Sequence, residues 1–213
     1  ESPSVQRVRI VYEKRGNFKF TGHLELSSIF FRASRRLNIP LTFSRGFSPK
    51  PRIIFGPPLQ LGVESGCEYV DFFLVKKVEP NIFLDDLNRI LPLGLKLITA
   101  KEVPLKCKSL QESIEVQRYR ITPNNELVIE DKPFKDAHNW SQLVVERKGK
   151  GKKARSIPLI SAVASVSVHN GYAEIDLLSN KNSVSLKPTE VIESITKLDS
   201  YNFALEKISV TME

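Results

Sequence analysis

Phe20-Thr-Gly-His-Leu-Glu-Leu-Ser-Ser-Ile-Phe-Phe-Arg-Ala-Ser-Arg-Arg-Leu-Asn-Ile-Pro40 is the stretch on which the fold turns. Leu26, Ile29, Phe30, Ala33 and Leu37 fall at i, i+3, i+4, i+7 and i+11, which is one apolar stripe along a helix. The spacing predicts a helix over 22–38, with Thr21 as its N-cap and Asn38-Ile-Pro40 ending it. Arg32, Arg35 and Arg36 lie off the stripe and face solvent. Upstream, Val8-Arg-Ile-Val-Tyr12 alternates apolar and polar residues, as a half-buried strand does. Downstream, residues 40–43 and 52–55 extend through a Gly/Pro loop as a second strand, and Glu68-Tyr-Val-Asp-Phe-Phe-Leu-Val75 reads as a third. A helix over 81–91 and a strand over 95–103 follow. The order is βαββαβ, the ferredoxin-like arrangement.

The second half repeats the pattern. Pro80 is followed by Phe83, Leu84, Leu87 and Ile90, and Pro188 by Val191, Ile192, Ile195 and Leu198, at the same four offsets. A strand of the form apolar-Asp-apolar-apolar precedes each helix, Val70-Asp-Phe-Phe and Ile175-Asp-Leu-Leu, and another strand follows each, 95–103 and 205–212. This ordered match indicates a duplicated unit. The expected fold class is therefore α+β: two tandem ferredoxin-like halves, 1–103 and 116–213, joined by a linker over 104–115. The first helix of the second half is degenerate, at 131–140. Strands are expected at 116–122 and 143–147. His169-Asn-Gly171, between strands at 163–168 and 172–178, signals a two-residue hairpin of type I′.

Charge is distributed as unevenly as structure is regular. The first 60 residues hold 11 Lys/Arg against 3 Asp/Glu, and the other 153 hold 21 of each, so the whole net charge of +8 sits in the first part. A one-sided positive field selects a polyanion such as RNA. Its candidate carriers are Arg32, Arg35 and Arg36 on the helix and Arg45, Lys50 and Arg52 in the loop Phe43-Ser-Arg-Gly-Phe-Ser-Pro-Lys-Pro-Arg52. Arginine grips phosphate bidentately. Within that loop Phe47 is either a base-stacking platform or an anchor tucked into the fold. Gly46 supplies a left-handed backbone position, and Pro49 and Pro51 stiffen the turn.

A second basic run, Arg147-Lys-Gly-Lys-Gly-Lys-Lys-Ala-Arg155, puts Lys148, Lys150, Lys152 and Lys153 in a flexible finger that seeks phosphates or stays solvated. His23 opens the first helix, where bound anions are favoured. A neutral imidazole there could act as general base on a ribose 2′-hydroxyl, or simply pack at the helix start. His138 and His169 lie far from it in sequence, and no His/Asp/Glu spacing spells a metal site.

Hydrophobic residues at 41% and charged residues at 26% are ordinary for a soluble globular protein. No apolar run approaches the roughly 20 residues that span a bilayer. Cys67 and Cys107 are too few for a disulfide scaffold or an iron–sulfur cluster, and they fit a reducing, cytoplasmic setting. Glu1-Ser-Pro-Ser has neither an apolar signal core nor an initiator Met, and reads as the start of a fragment of something longer.

The motifs Phe20-Thr-Gly-His-Leu-Glu-Leu, Phe31-Arg-Ala, Arg36, Ile39-Pro-Leu-Thr-Phe-Ser-Arg-Gly-Phe-Ser-Pro-Lys-Pro and Phe55-Gly-Pro-Pro-Leu-Gln-Leu-Gly-Val-Glu-Ser resemble the bacterial radical-SAM-linked protein family, a domain of unknown function. The resemblance is specific to about residue 75 and looser beyond. Family members more typically carry Ser-His-Leu-Asp-Leu and Gly-Phe-Asn-Pro where this chain has Gly22-His-Leu-Glu-Leu and Gly46-Phe-Ser-Pro.

The resemblance implies a partner radical-SAM enzyme, encoded beside the chain or fused to it. That enzyme would carry the iron–sulfur cluster and S-adenosylmethionine that this chain does not hold. It also implies an RNA-handling role beside that enzyme. The doubled layout is similar, at the level of fold alone, to the repeat-associated CRISPR endoribonucleases. Three functions follow as expectations: an RNA-binding or substrate-presenting partner in RNA modification, a metal-independent endoribonuclease using His23, and a protein-interaction module that binds no nucleic acid.

Overall fold

A computed structural model describes residues 3–124, 142–147, 155–179 and 184–213. The class is mixed α+β, and the chain divides into two compact units, residues 1–113 and 114–213. The degenerate helix expected at 131–140 lies outside the described residues.

The first unit is built on β1 (Gln6–Lys14), where Val8, Ile10 and Tyr12 all point into the core. β1 pairs antiparallel with β3 (Glu64–Leu74) on one side and β4 (Leu95–Val103) on the other; β2 (Ile53–Phe55) pairs with β3, giving the order β4-β1-β3-β2. Residues 41 and 43, expected inside the second strand, contribute only isolated bridges, to Leu74 and Pro51.

Helix α1 (His23–Arg36) buries Leu26, Phe30 and Ala33, with Ile29 and Leu37 half-buried against the same core. The residue before its first turn is Gly22, not Thr21, and no side chain caps it. Instead the Thr21 carbonyl accepts a bond from Lys14 Nζ at 2.8 Å. The helix stops at Arg36, and the chain turns away at Asn38, which takes φ 52°.

Helix α2 (Pro80–Ile90) is capped by the Glu79 carboxylate accepting from the Ile82 amide. Asn88 exchanges two bonds with the Leu97 backbone, at 2.8 and 2.9 Å, pinning α2 to β4. Between helices and sheet, Tyr12, Phe30, Phe55, Phe72 and Phe83 meet edge to face or tilted, the geometry aromatic rings prefer. Gly94 closes the turn into β4 at φ 100°, where a Cβ would lie 2.8 Å from the Arg15 carbonyl oxygen. Residues 104–113 end in the short α3 (Leu110–Ser113), with Leu110 fully buried.

The second unit contains β5 (Ile114–Pro123), β8 (Val163–His169), β9 (Tyr172–Leu178) and β10 (Phe203–Met212), in the order β10-β5-β9-β8 with every neighbouring pair antiparallel. A separate ribbon pairs β6 (Val144–Arg147) with β7 (Arg155–Pro158). Helix α4 (Pro188–Thr196) buries Val191, Ile192 and Ile195. Leu198 falls past the helix end, beyond the left-handed Lys197, and is exposed. The hairpin at Asn170-Gly171 is present, with His169 paired to Tyr172. Only Gly171 has positive φ, so the turn is not type I′, which needs both central residues there.

Cross-strand ion pairs hold β5 and β9 of this unit together. Arg118 reaches Asp176 at 2.7 Å and Arg120 reaches Glu174 at 3.0 Å. The Arg118 hydrogen bond, reinforced by Ser165, keeps the Asp176 carboxyl below its ordinary range against the opposing effect of burial. A carboxyl depressed on folding stabilises the folded state above its unfolded pKa, near 3.9, and loses that contribution as pH falls through the lower folded value. Urea midpoints measured from pH 6 to pH 2 should therefore fall in acid. Asp176→Asn should flatten part of that fall, and an identical acid profile for the variant would refute the assignment.

Candidate nucleic-acid interface

Helix α1 buries one side, so the opposite side faces out. Leu24, Ser28, Arg32 and Arg35 recur at i, i+4, i+8 and i+11 and share a narrow exposed line, with Arg36 just beside it. Arg35 lies 5.9 Å from the Phe31 ring centroid, and Phe31 meets Phe43 edge-on at 6.2 Å. Among the described residues, none of Arg32, Arg35 and Arg36 has a carboxylate within ion-pair distance. The contrast with Arg7, Arg9, Arg118, Arg120 and Arg147 is direct: each of those is ion-paired to an aspartate or glutamate, Arg7 and Arg9 sharing one.

Phe43 and Pro51 form the base of the basic loop. Above them the Ser44 amide donates to the Lys50 carbonyl at 2.8 Å, and the Lys50 amide donates to Ser44 Oγ at 2.9 Å. This clasp pushes residues 45–49 outward. Arg45 and Lys50 are exposed, Gly46 takes φ 128°, and Phe47 is fully exposed, so it is not an anchor in the fold.

Arg52 is placed differently. It is half-buried, with its guanidinium 4.1 Å above the Phe73 ring and Nη1 donating to Ser4 Oγ, away from the loop tip. The four lysines Lys148, Lys150, Lys152 and Lys153 lie outside the described residues.

His23 is the first residue of α1 and is exposed, its ring edge-on to Phe55 at 5.3 Å. It stands at a cleft of about 20 Å³, room for a single water, lined also by Tyr12, Lys14, Thr21, Phe55, Gly56, Pro57 and Glu68. Tyr12, Lys14 and Glu68 are buried there. Burial, and secondarily the Glu68 charge, raise the Tyr12 phenol well above its ordinary pKa, so it stays protonated. Among the described residues no group of three His, Cys, Asp or Glu side chains could hold a metal ion. No helix there is long and apolar enough to cross a membrane.

A second charged constellation went unseen in the sequence. Arg7 and Arg9 both reach Asp71, which is fully buried: Arg7 Nε at 3.0 Å, Arg9 Nε at 2.8 Å and Arg9 Nη2 at 3.0 Å. Arg7 also donates to the carbonyls of Cys107 and Lys108, tying residues 107–108 to the sheet. Burial alone would lower the Arg9 pKa; its bonds and attraction to Asp71 outweigh that and raise it. The signal was a lone aspartate inside the apolar run of β3 and two arginines alternating with Val8 and Ile10. All three groups are consumed by one another, which makes the cluster structural.

The geometry therefore defines an α+β protein with an uncompensated cationic helix face and an outward aromatic loop. The family model for uncharacterized proteins conserved in bacteria (DUF2344) matches residues 7–188, and the chain belongs to that family. No curated protein matches it.

Proposed function

We propose that this chain is an RNA-binding or substrate-presenting partner of a radical-SAM enzyme, acting in RNA modification in the cytoplasm. The observation that carries the RNA part is the set of α1 arginines without carboxylate partners. Charges left uncompensated across a folded surface are available to phosphates, whereas those of Arg118 and Arg120 in the second unit are already spent on their own acids. The radical-SAM part rests on the resemblance of the 20–65 motifs alone. The iron–sulfur cluster and S-adenosylmethionine belong to the partner in this reading. Two tandem ferredoxin-like halves form part of the proposal too. It is supported by the same strand order in both units, β4-β1-β3-β2 and β10-β5-β9-β8, with the β6–β7 ribbon as an insertion in the second. Filter binding to total cellular RNA across a salt series tests the reading, and salt-independent retention would sink it.

The cleft beside His23 supports a second reading, a metal-independent endoribonuclease with His23 as general base. A general base contributes about 10²–10⁴ in rate and little to ground-state affinity. As a ribonuclease, the wild type should release products ending in a 2′,3′-cyclic phosphate, and His23→Ala should bind RNA without cutting it. As a presenting subunit, neither protein should cleave, which is the outcome expected here. Metal-independent cleavage lost in the variant would reverse that order of preference.

A further inference from the structure

We infer that the ligand of this surface is unpaired, single-stranded RNA, stacked on Phe20 at one end and Phe47 at the other. The inference rests on the RNA reading above and narrows it. Phe47 leaves the clasped loop with its whole side chain in solvent. Phe20, at the end of the 3-10 turn Gly16–Phe20, is 64% exposed, and Leu24 at the start of α1 is 81% exposed. Its ring sits against Gly62, where a Cβ would lie 3.8 Å from Cε1, and the Gly62 amide donates to the Lys19 carbonyl at 2.9 Å. Lys19 Nζ lies 5.4 Å from the same ring.

Between these aromatics runs the exposed line of α1. Leu24 to Arg35 spans about 16 Å at 1.5 Å per residue. At its far end, contacts pass from Arg35 to Phe31 to Phe43 and so to the loop base. A cationic track flanked by exposed rings matches a single strand, whose phosphates meet arginines while its bases offer π-faces. A duplex hides those faces in its own stack, and the aromatics would have no partner. A purely phosphate-reading surface has no use for two phenylalanines in water. Charge complementarity argues the occupant in the same direction, because each end of the line joins a cation to an aromatic ring, Lys19 to Phe20 and Arg35 to Phe31, as a phosphate-and-base ligand requires.

The test uses the full chain and two labelled probes, a 12-nucleotide oligouridine and a 12-base-pair A·U RNA duplex, with fluorescence anisotropy as readout. The single strand should bind at least tenfold more tightly. Phe47→Ala and Phe20→Ala should each weaken single-strand binding about 5- to 150-fold, the range for losing one stacked base, and leave duplex binding unchanged. Both side chains are exposed, so circular dichroism and the melting temperature should match wild type. Equal or tighter duplex binding, or wild-type single-strand affinity in both variants, overturns the inference and leaves the RNA reading standing. No binding of either probe overturns both, whereas sedimentation showing that the phenylalanines serve self-association overturns the inference alone.

Discussion

Replacing Arg32, Arg35 and Arg36 together by glutamate should abolish RNA binding and leave the fold intact. The three side chains are exposed and lie off the buried stripe of α1, and none belongs to an ion pair among the described residues, so the folded state loses only the exposed approach of Arg35 to the Phe31 ring. The bound state loses three attractions and gains three repulsions. Like charges forced together cost several kcal/mol, which places the drop at a hundredfold or more, about 3 kcal/mol. Salt dependence supplies an independent measure. Each phosphate contact on a single strand contributes about 0.7 to the log–log slope, so three lost contacts should flatten it by about 2. Neutral Gln at the same positions should fall between wild type and the reversal. Wild-type affinity in the triple variant would move the binding surface off α1 altogether.

Asp71→Asn should be the most damaging single change to stability. The carboxylate is fully buried and divided between Arg7 and Arg9, whose side chains are 4% and 10% exposed. Its amide keeps the shape and removes the charge, leaving two desolvated cations side by side. Breaking a buried pair by removing one partner costs about 3–5 kcal/mol, a large share of the roughly 5–15 kcal/mol that holds a domain folded. The urea midpoint should fall accordingly. Replacing the whole triad by Arg7→Met, Arg9→Met and Asp71→Leu should recover much of the loss, because no charge is then buried. A single variant within about 1 kcal/mol of wild type would show that the arginines find other acceptors.

Much of the first unit was legible because its signals were local. The stripe Leu26, Phe30, Ala33 and the alternation Val8, Ile10, Tyr12 are written into adjacent residues, and both elements formed where their periods placed them. The Asn-Gly hairpin was legible in position and not in type, since only Gly171 adopts positive φ. The Arg7–Asp71–Arg9 cluster was illegible for another reason. Its members are 62 and 64 residues apart, and only the register that sets Arg9 opposite Asp71 makes their burial tolerable. Arg52 illustrates the converse. Composition grouped it with the loop, but its backbone pairs with Thr42 and Phe73, which turns its guanidinium onto the Phe73 ring. The β7 strand, four residues beside a basic run, carried too little alternation to be seen.

The clasp between Ser44 and Lys50 changes the thermodynamics expected of this surface. Its two bonds, the Phe43–Pro51 bridge, and the fixed φ of Pro49 and Pro51 leave the loop backbone little freedom. Ordering a residue costs about 1–2 kcal/mol when it happens at the moment of association. Here that ordering has already occurred during folding, so the tip meets its ligand preorganised. Recognition of this kind resembles the docking of a rigid hook more than the wrapping of a flexible arm. Association should then proceed in one kinetic step, without a slower phase of loop ordering, and opening the clasp should weaken binding with no contact to the ligand removed.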